Sequence, residues 1–207
     1  IFILLFISIL YFRKIKAKDI FDEYLILTPL IIFLLFAMYS KANLGVRHVL
    51  PIFPFLILFI SKSINLIDFK KWRLATIGFI VLIFWYFVSS IFSFPNYLTY
   101  FNEFAGGAKN GYKILTDSNL DWGQDVFRIE KYIKENNIVR PYLVYGWDGD
   151  EYLRKNGIDY LNLEPNNRNI KGDVIISASL MVGNDYNWLL KYPKTQITPG
   201  VFYIRID

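Results

Sequence analysis

The sequence predicts an integral membrane α-helical bundle followed by a small extracytoplasmic α/β domain. Three observations lead to this prediction. Four long apolar runs fall within the first 94 of the 207 residues. Connectors with basic residues separate these runs, as they do between membrane helices. The residues after position 94 alternate between β-branched segments and amphipathic segments, which is typical of a water-soluble α/β domain.

The apolar runs define the predicted spans. An α-helix rises about 1.5 Å per residue, so about 20 apolar residues cross a hydrocarbon layer of about 30 Å. The first run is shorter than that, and its basic residues follow it, unlike those of a signal peptide. We therefore expect this chain to be the C-terminal fragment of a longer protein. The predicted spans are 1–12 (partial), 24–40, 49–67 and 74–94, and the predicted outer domain is 95–207.

The charges of the connectors predict the orientation. Segment 13–23 carries four basic residues and segment 68–73 carries three, whereas the connector between them carries only Lys41 and Arg47. The excess of positive charge on cytoplasmic loops places the first and third connectors inside. The loop around Arg47 and the domain after Phe94 then face outward from the cell inner or plasma membrane.

The overall composition excludes two classes of partner and site. Residues 1–94 contain ten Lys and Arg against four Asp and Glu, and the remainder contains thirteen against fourteen. The basic charge therefore belongs to the membrane half, and the near-neutral outer half lacks the basic face that nucleic-acid binding needs. The chain has no cysteine, which excludes disulfides and thiolate metal sites.

The outer half is predicted element by element from periodicity and turn residues. Pro95 ends the last apolar helix, and the aromatic segment 96–104 is predicted as a short amphipathic helix near the membrane interface. The later elements form a small domain with a mainly parallel sheet. The predicted helices are 126–136, 148–156 and 186–190, and the predicted strands are 141–145, 160–163, 173–179 and 201–206.

A cationic pair, Arg47 and His48, lies in the short polar loop between two apolar runs and follows Gly45. A guanidinium binds a phosphate through two parallel hydrogen bonds, and a protonated histidine adds another donor. We therefore interpret the pair as a site for the phosphate of a lipid-linked donor. The alternative is that Arg47 anchors a helix end at the membrane surface while His48 caps the next helix.

An acidic run at 117–125 allows three interpretations. It begins like a calcium loop, but Trp122 stands where such a loop needs glycine and Arg128 where it needs glutamate. It is also typical of a polar loop that caps the helix at 126. The third interpretation is a sugar-facing patch in which a tryptophan stacks and polar side chains bind hydroxyls. The candidate sugar or acceptor contacts are Asn43, Asp117, Asn119, Asp121, Trp122 and Gln124.

Three stretches together resemble a known family. They are 43–55 (NLGVRHVLPIFPF), 95–107 (PNYLTYFNEFAGG) and 117–125 (DSNLDWGQD). In order and spacing they resemble segments of bacterial proteins of glycosyltransferase family 39, which includes the dolichyl-phosphate-mannose–protein mannosyltransferases. The resemblance covers about residues 43 to 125 and leaves the tail less distinctive.

The resemblance implies a membrane transferase of the GT-C architecture. Such enzymes move a sugar from a polyprenyl-phosphate donor to a protein, lipid or glycan acceptor on the outer face of the membrane. Their catalytic base is an acidic residue of the first extracytoplasmic loop, so we expect no catalytic residue in this chain. The position that matches the donor phosphate site is Arg47, with His48 beside it. Whether a divalent cation assists stays open.

A non-enzymatic alternative is the end of a transporter, or a membrane-anchored receptor whose outer α/β domain binds a ligand or partner. A transporter more often carries charges or broken helices at mid-membrane. Here the predicted helices contain only prolines and Lys62 as interruptions.

Overall fold

The structure is a computed structural model that describes residues 20–40, 49–61, 73–116, 119–146, 149–183 and 185–207. The chain divides into two compact units, Ile1–Phe92 and Ser93–Asp207. The first unit is helical in its described part, and the second contains a β-sheet covered by helices on both faces.

The first unit contains three apolar helices in its described part. They are α1 (Ile20–Tyr39), α2 (Ile52–Ser61) and α3 (Arg73–Phe92). Asp22 and Glu23 lie in the first turn of α1, where the positive end of the helix dipole favours acids. Pro51 directly precedes α2, and its fixed φ suits the start of a helix. Helix α2 packs against α1.

The predicted multi-span helical bundle is wrong. Within the described residues, only Phe21–Tyr39 is long and apolar enough to cross a membrane, by length and composition. Helix α2 covers Ile52–Ser61 of the predicted span 49–67, of which residues 62–67 lie outside the described part, as does the predicted partial span 1–12. In α3 the apolar stretch Thr76–Phe92 falls short of the length of a span. The prediction counted apolar runs, whereas spanning depends on the length of uninterrupted helix.

The second unit begins with irregular structure and continues into a five-stranded sheet. Short 3₁₀ helices cover Tyr97–Thr99, Glu103–Ala105 and Ala108–Lys113. The α-helices are α4 (Val126–Glu135), α5 (Gly149–Lys155) and α6 (Ala178–Val182), and a 3₁₀ helix covers Asn187–Lys191. The strands are β1 (Tyr142–Val144), β2 (Leu161–Asn162), β3 (Gly172–Ser177), β4 (Lys194–Thr198) and β5 (Val201–Ile206).

The sheet is mixed, with strand order β2-β1-β3-β5-β4. Strand β1 pairs in parallel with β2 and β3, while β5 pairs antiparallel with both β3 and β4. The prediction of a mainly parallel sheet missed β4, whose sequence, KTQIT, is largely polar. A two-residue connection, Pro199-Gly200, joins β4 to β5 and makes this pair a hairpin.

Several sequence predictions in this unit are confirmed with small shifts. The helix predicted over 126–136 ends at Glu135, and the strand predicted over 201–206 has those bounds. The strand predicted over 173–179 ends at Ser177 because α6 begins there. The helix predicted over 96–104 is wrong. Asn102 adopts an extended backbone and its side chain accepts a hydrogen bond from Ala105 N–H, which starts a separate 3₁₀ turn.

The core forms one layer on each face of the sheet. In β3, Val174 and Ile176 belong to one layer, and Ile175 belongs to the other. Helices α4 and α5 cover the layer with Ile175, and α6 with the 3₁₀ helix Asn187–Lys191 covers the opposite layer. Strand β3 is therefore apolar along both faces, as strands buried on both sides are.

One edge of this sheet collects the carboxyl ends of four strands. Strand β1 runs parallel to β3, and β4 shares that direction because both β3 and β4 are antiparallel to β5. Strand β2 is parallel to β1, so the four carboxyl ends lie along the same edge, at Val144, Asn162, Ser177 and Thr198. In α/β sheets this edge is the usual place for binding residues.

Candidate functional site

The loop that precedes α4 is fixed by its own side chains. Asp121 Oδ1 accepts a hydrogen bond from Gly123 N–H at 2.9 Å, a turn that aspartate favours and that Gly123 permits with a φ of +81°. Gln124 Nε2 donates to the Leu120 carbonyl oxygen at 2.8 Å, and its Oε1 accepts from Trp122 N–H at 2.6 Å. These bonds hold the backbone around Trp122.

Tyr145 connects this loop to the end of β1. Its hydroxyl donates to Asp121 Oδ1 at 2.9 Å and accepts from Asp125 N–H at 3.2 Å. The Tyr145 side chain is buried with both carboxylates, so the sheet edge and the loop share one polar network. The sequence places this tyrosine directly after an apolar strand.

Asp125 connects the loop to the end of β4. Thr198 Oγ1 donates to Asp125 Oδ2 at 2.6 Å, and Arg128 Nη1 donates to Asp125 Oδ1 at 3.0 Å. The same Arg128 nitrogen donates to Asn96 Oδ1 at 2.5 Å. Asp125 is the residue before α4, yet its side chain makes no capping hydrogen bond. The capping interpretation of this loop is therefore wrong for Asp125, whose carboxylate instead joins separate parts of the unit.

The two carboxyl groups lie in a low-dielectric environment. Asp121 is 3% exposed and Asp125 is 1% exposed. Burial raises the pKa of Asp125, and the nearby Asp121 charge raises it further, while the Thr198 hydrogen bond and Arg128 oppose the shift. Burial and the Asp121 charge also raise the pKa of Tyr145, which keeps its hydroxyl protonated as a donor.

The predicted contact residues occupy different environments. Trp122 is 44% exposed, whereas Asp121 and Gln124 are engaged in holding the loop. Asn119 is half-buried, and its Nδ2 donates to the Thr116 carbonyl oxygen at 3.0 Å. Asn43, Arg47, His48 and Asp117 lie outside the described residues.

Sequence reasoning missed four members of the network, namely Asn96, Arg128, Tyr145 and Thr198. Tyr145 had a usable signal, since it ends a strand on the edge where α/β domains bind ligands. Thr198 had no such signal in the sequence, because β4 itself was not predicted. Asp125 was part of the acidic run but was not chosen as a contact residue.

The hydrogen-bond network is suited to positioning the loop around Trp122 rather than to binding a metal ion. Within the described part of the chain, no group of three or more His, Asp or Glu side chains is placed to hold a metal ion. Asp121 Oδ2 has no hydrogen-bond partner among the described residues. The network fixes the loop at the sheet edge and leaves the Trp122 indole partly exposed beside it.

Comparisons with known proteins identify no relative of this chain. No family model, no curated protein and no solved structure matches this chain.

Proposed function

We propose that this protein takes part in the transfer of a sugar from a polyprenyl-phosphate donor to an acceptor on the outer face of a membrane. In this proposal the loop around Trp122 contacts the saccharide. The observation that supports it best is the partly exposed Trp122 indole on a loop that its neighbouring polar side chains hold in place.

A rigid aromatic ring is suited to carbohydrate binding. The C–H face of a pyranose packs on an indole, and tryptophan supplies this large surface with few rotatable bonds. Because Gln124 and Asp121 fix the backbone on either side of Trp122, little conformational entropy is lost when a sugar binds. The loop also lies at the carboxyl edge of β1, β3 and β4, where α/β sheets usually bind ligands.

The donor phosphate is assigned to Arg47 and His48 from the sequence alone. The acceptor oxygen would bond to the anomeric carbon while the bond from that carbon to the phosphate oxygen breaks. The acceptor proton would pass to the carboxylate of a catalytic base that this chain does not supply. Arg47 would stabilise the charge that grows on the departing phosphate, an effect worth about 3 kcal/mol per donor in enzymes.

The proposal includes a membrane location. Helix α1 contains the stretch Phe21–Tyr39, which is long and apolar enough to cross a bilayer. We place the protein in the cell inner or plasma membrane with the second unit outside. This orientation rests on the basic residues of segment 13–23, since such residues before a span favour the cytoplasmic side.

The test is lipid binding by the full chain in lipid nanodiscs, using undecaprenyl phosphate with and without a linked hexose as probes. We expect Arg47→Ala to weaken the binding of both lipids about tenfold, since both carry the phosphate. We expect Trp122→Ala to weaken only the hexose-linked lipid, also about tenfold. Phe127→Ala, which removes another exposed aromatic ring of the same unit, is the matched control. If the chain binds neither lipid, the proposal is refuted.

A membrane-anchored receptor is the second candidate. It is favoured by the presence, within the described residues, of one helix that is long enough to span. A receptor of this kind would bind a free saccharide as tightly as the lipid-linked one and would not bind undecaprenyl phosphate. The same titrations, extended to the free hexose, therefore separate the two functions.

A further inference from the structure

The segment 93–116 is attached to the second unit by side chains that point inward. Phe101 packs against the core layer that contains Phe202, and the Tyr112 ring meets the Phe202 ring edge-on, with centroids 4.9 Å apart. Gly111 lies directly against the Phe101 ring, where a Cβ atom would approach within 2.2 Å of a ring carbon. Gln196 Nε2 donates to the Lys109 carbonyl oxygen at 3.1 Å. These contacts fix the segment to the sheet.

The same segment exposes large apolar side chains. Phe104 is 90% exposed, although Phe101, three residues earlier, packs inward. We call residues 94–104 the aromatic segment; its exposed apolar residues are Phe94, Tyr97, Leu98, Tyr100 and Phe104. A dense set of exposed apolar residues marks a surface for a protein or a membrane.

We propose that the aromatic segment lies in the head-group region of a lipid bilayer. The segment follows α3 directly in the chain, and α3 carries exposed apolar side chains up to Phe92. Tyr97 and Tyr100 combine an apolar ring with a polar hydroxyl, the combination that is enriched where hydrocarbon meets water. Exposed Lys109 and Lys113 follow soon afterwards and suit anionic lipid phosphates.

This contact would hold the polar network near the membrane surface. Asn96 belongs to the aromatic segment, and its Oδ1 accepts a hydrogen bond from Arg128, which also binds Asp125. The segment is therefore tied by two hydrogen bonds to the loop that carries Trp122. The inference does not depend on the proposed transferase function, since a receptor would use the same contact.

The experiment uses the absence of native cysteine, which makes single-cysteine variants unambiguous. Phe104→Cys and Leu98→Cys are labelled with an environment-sensitive fluorophore in the full chain. Val139→Cys is the control, because Val139 is also an exposed apolar residue of the second unit but lies between α4 and β1. The labelled proteins are reconstituted into vesicles of phosphatidylcholine and phosphatidylglycerol.

We expect labels at 98 and 104 to be quenched by a lipid that carries a doxyl group near its head group, and to be shielded from aqueous iodide. The label at 139 should be quenched by aqueous iodide and not by the doxyl lipid. Equal iodide quenching at 104 and 139 would overturn the proposal. Shielding of 98 and 104 from both quenchers would also overturn it, because a second copy or another protein would then cover the segment.

Discussion

The Thr198 hydroxyl donates a hydrogen bond of 2.6 Å to Asp125 Oδ2, joining the end of β4 to the residue that precedes α4. These residues are 73 positions apart in the chain. The Thr198 oxygen also accepts a hydrogen bond from Gly200 N–H at 3.3 Å. One buried hydroxyl thus connects the β4–β5 turn with the loop that carries Trp122.

The first prediction concerns this hydroxyl. Thr198→Val keeps the shape of the side chain but removes the donor to a buried carboxylate and the acceptor for Gly200 N–H. Hydrogen bonds to charged groups contribute about 1.5 to 3 kcal/mol, so we expect the free energy of unfolding of the second unit to fall by about 2 kcal/mol. Hydrogen exchange of the β3 amides in the full chain measures this free energy of unfolding.

The control is Thr195→Val on the same strand, because Thr195 is exposed. We expect that variant to change the free energy of unfolding by less than about 0.5 kcal/mol. An equal decrease in the free energy of unfolding in both variants would show that the Thr198–Asp125 hydrogen bond has no special importance.

The second prediction concerns pH. Burial raises the pKa of Asp125 above the ordinary aspartate value of 3.8, so the folded state retains a proton that the unfolded state has already released. The stability that Asp125 contributes is therefore present below that value and is lost as the pH rises through the raised pKa. The side chains that interact with this carboxyl group are those of Asp121, Arg128 and Thr198, and its charge also acts on Tyr145.

The measurement compares the native chain with Asp125→Asn from about pH 4 to about pH 8 by hydrogen exchange of β3. We expect the stability of the native chain, relative to the variant, to decline with rising pH and then level off. A relative stability that increases with pH would mean that Arg128 and Thr198 outweigh burial and that the pKa is lowered.

The sequence predicted the second unit better than the first because its elements have local signals. The apolar face of α4 repeats at helical spacing, and β3 and β5 are rich in β-branched residues. Strand β4 also contains β-branched residues, but its sequence is largely polar and offers no apolar run, so its pairing with β5 is not evident from the sequence. Apolar composition alone predicted several membrane spans, but it does not determine where a helix starts and stops.

The candidate site was predictable only in part for a related reason. The run 117–125 is contiguous and has a distinctive composition, so Asp121 and Trp122 could be chosen as candidates directly from the sequence. Tyr145 and Thr198 join them through long-range contacts that depend on strand order. Without the β4–β5 hairpin, Thr198 would not lie beside Asp125.

The third prediction concerns Tyr145. Tyr145→Phe removes the donor to Asp121 Oδ1 and the acceptor for Asp125 N–H, and both partners are buried. We expect the free energy of unfolding to fall by about 2 kcal/mol. Tyr203→Phe is the control, because the Tyr203 hydroxyl donates to Asp173 at a half-exposed position where Arg205 still binds that carboxylate. We expect Tyr203→Phe to lower the free energy of unfolding by clearly less than Tyr145→Phe does. An equal decrease in both variants would contradict the importance of burial.

The fourth prediction concerns Gly111, which supports the aromatic segment. An alanine Cβ at this position would lie 2.2 Å from the Phe101 ring, so Gly111→Ala forces the ring or the segment to move. Overpacking of this kind costs about 1 to 3 kcal/mol, and we expect faster hydrogen exchange across residues 100–112. Gly146→Ala is the control, because a Cβ there meets nothing within 4 Å. The double variant Gly111→Ala with Phe101→Leu should recover part of the loss, since the smaller side chain gives the methyl group space. If the single variant exchanges like the native chain, Phe101 does not fix the segment, and the outward position of Phe104 is not maintained by this contact.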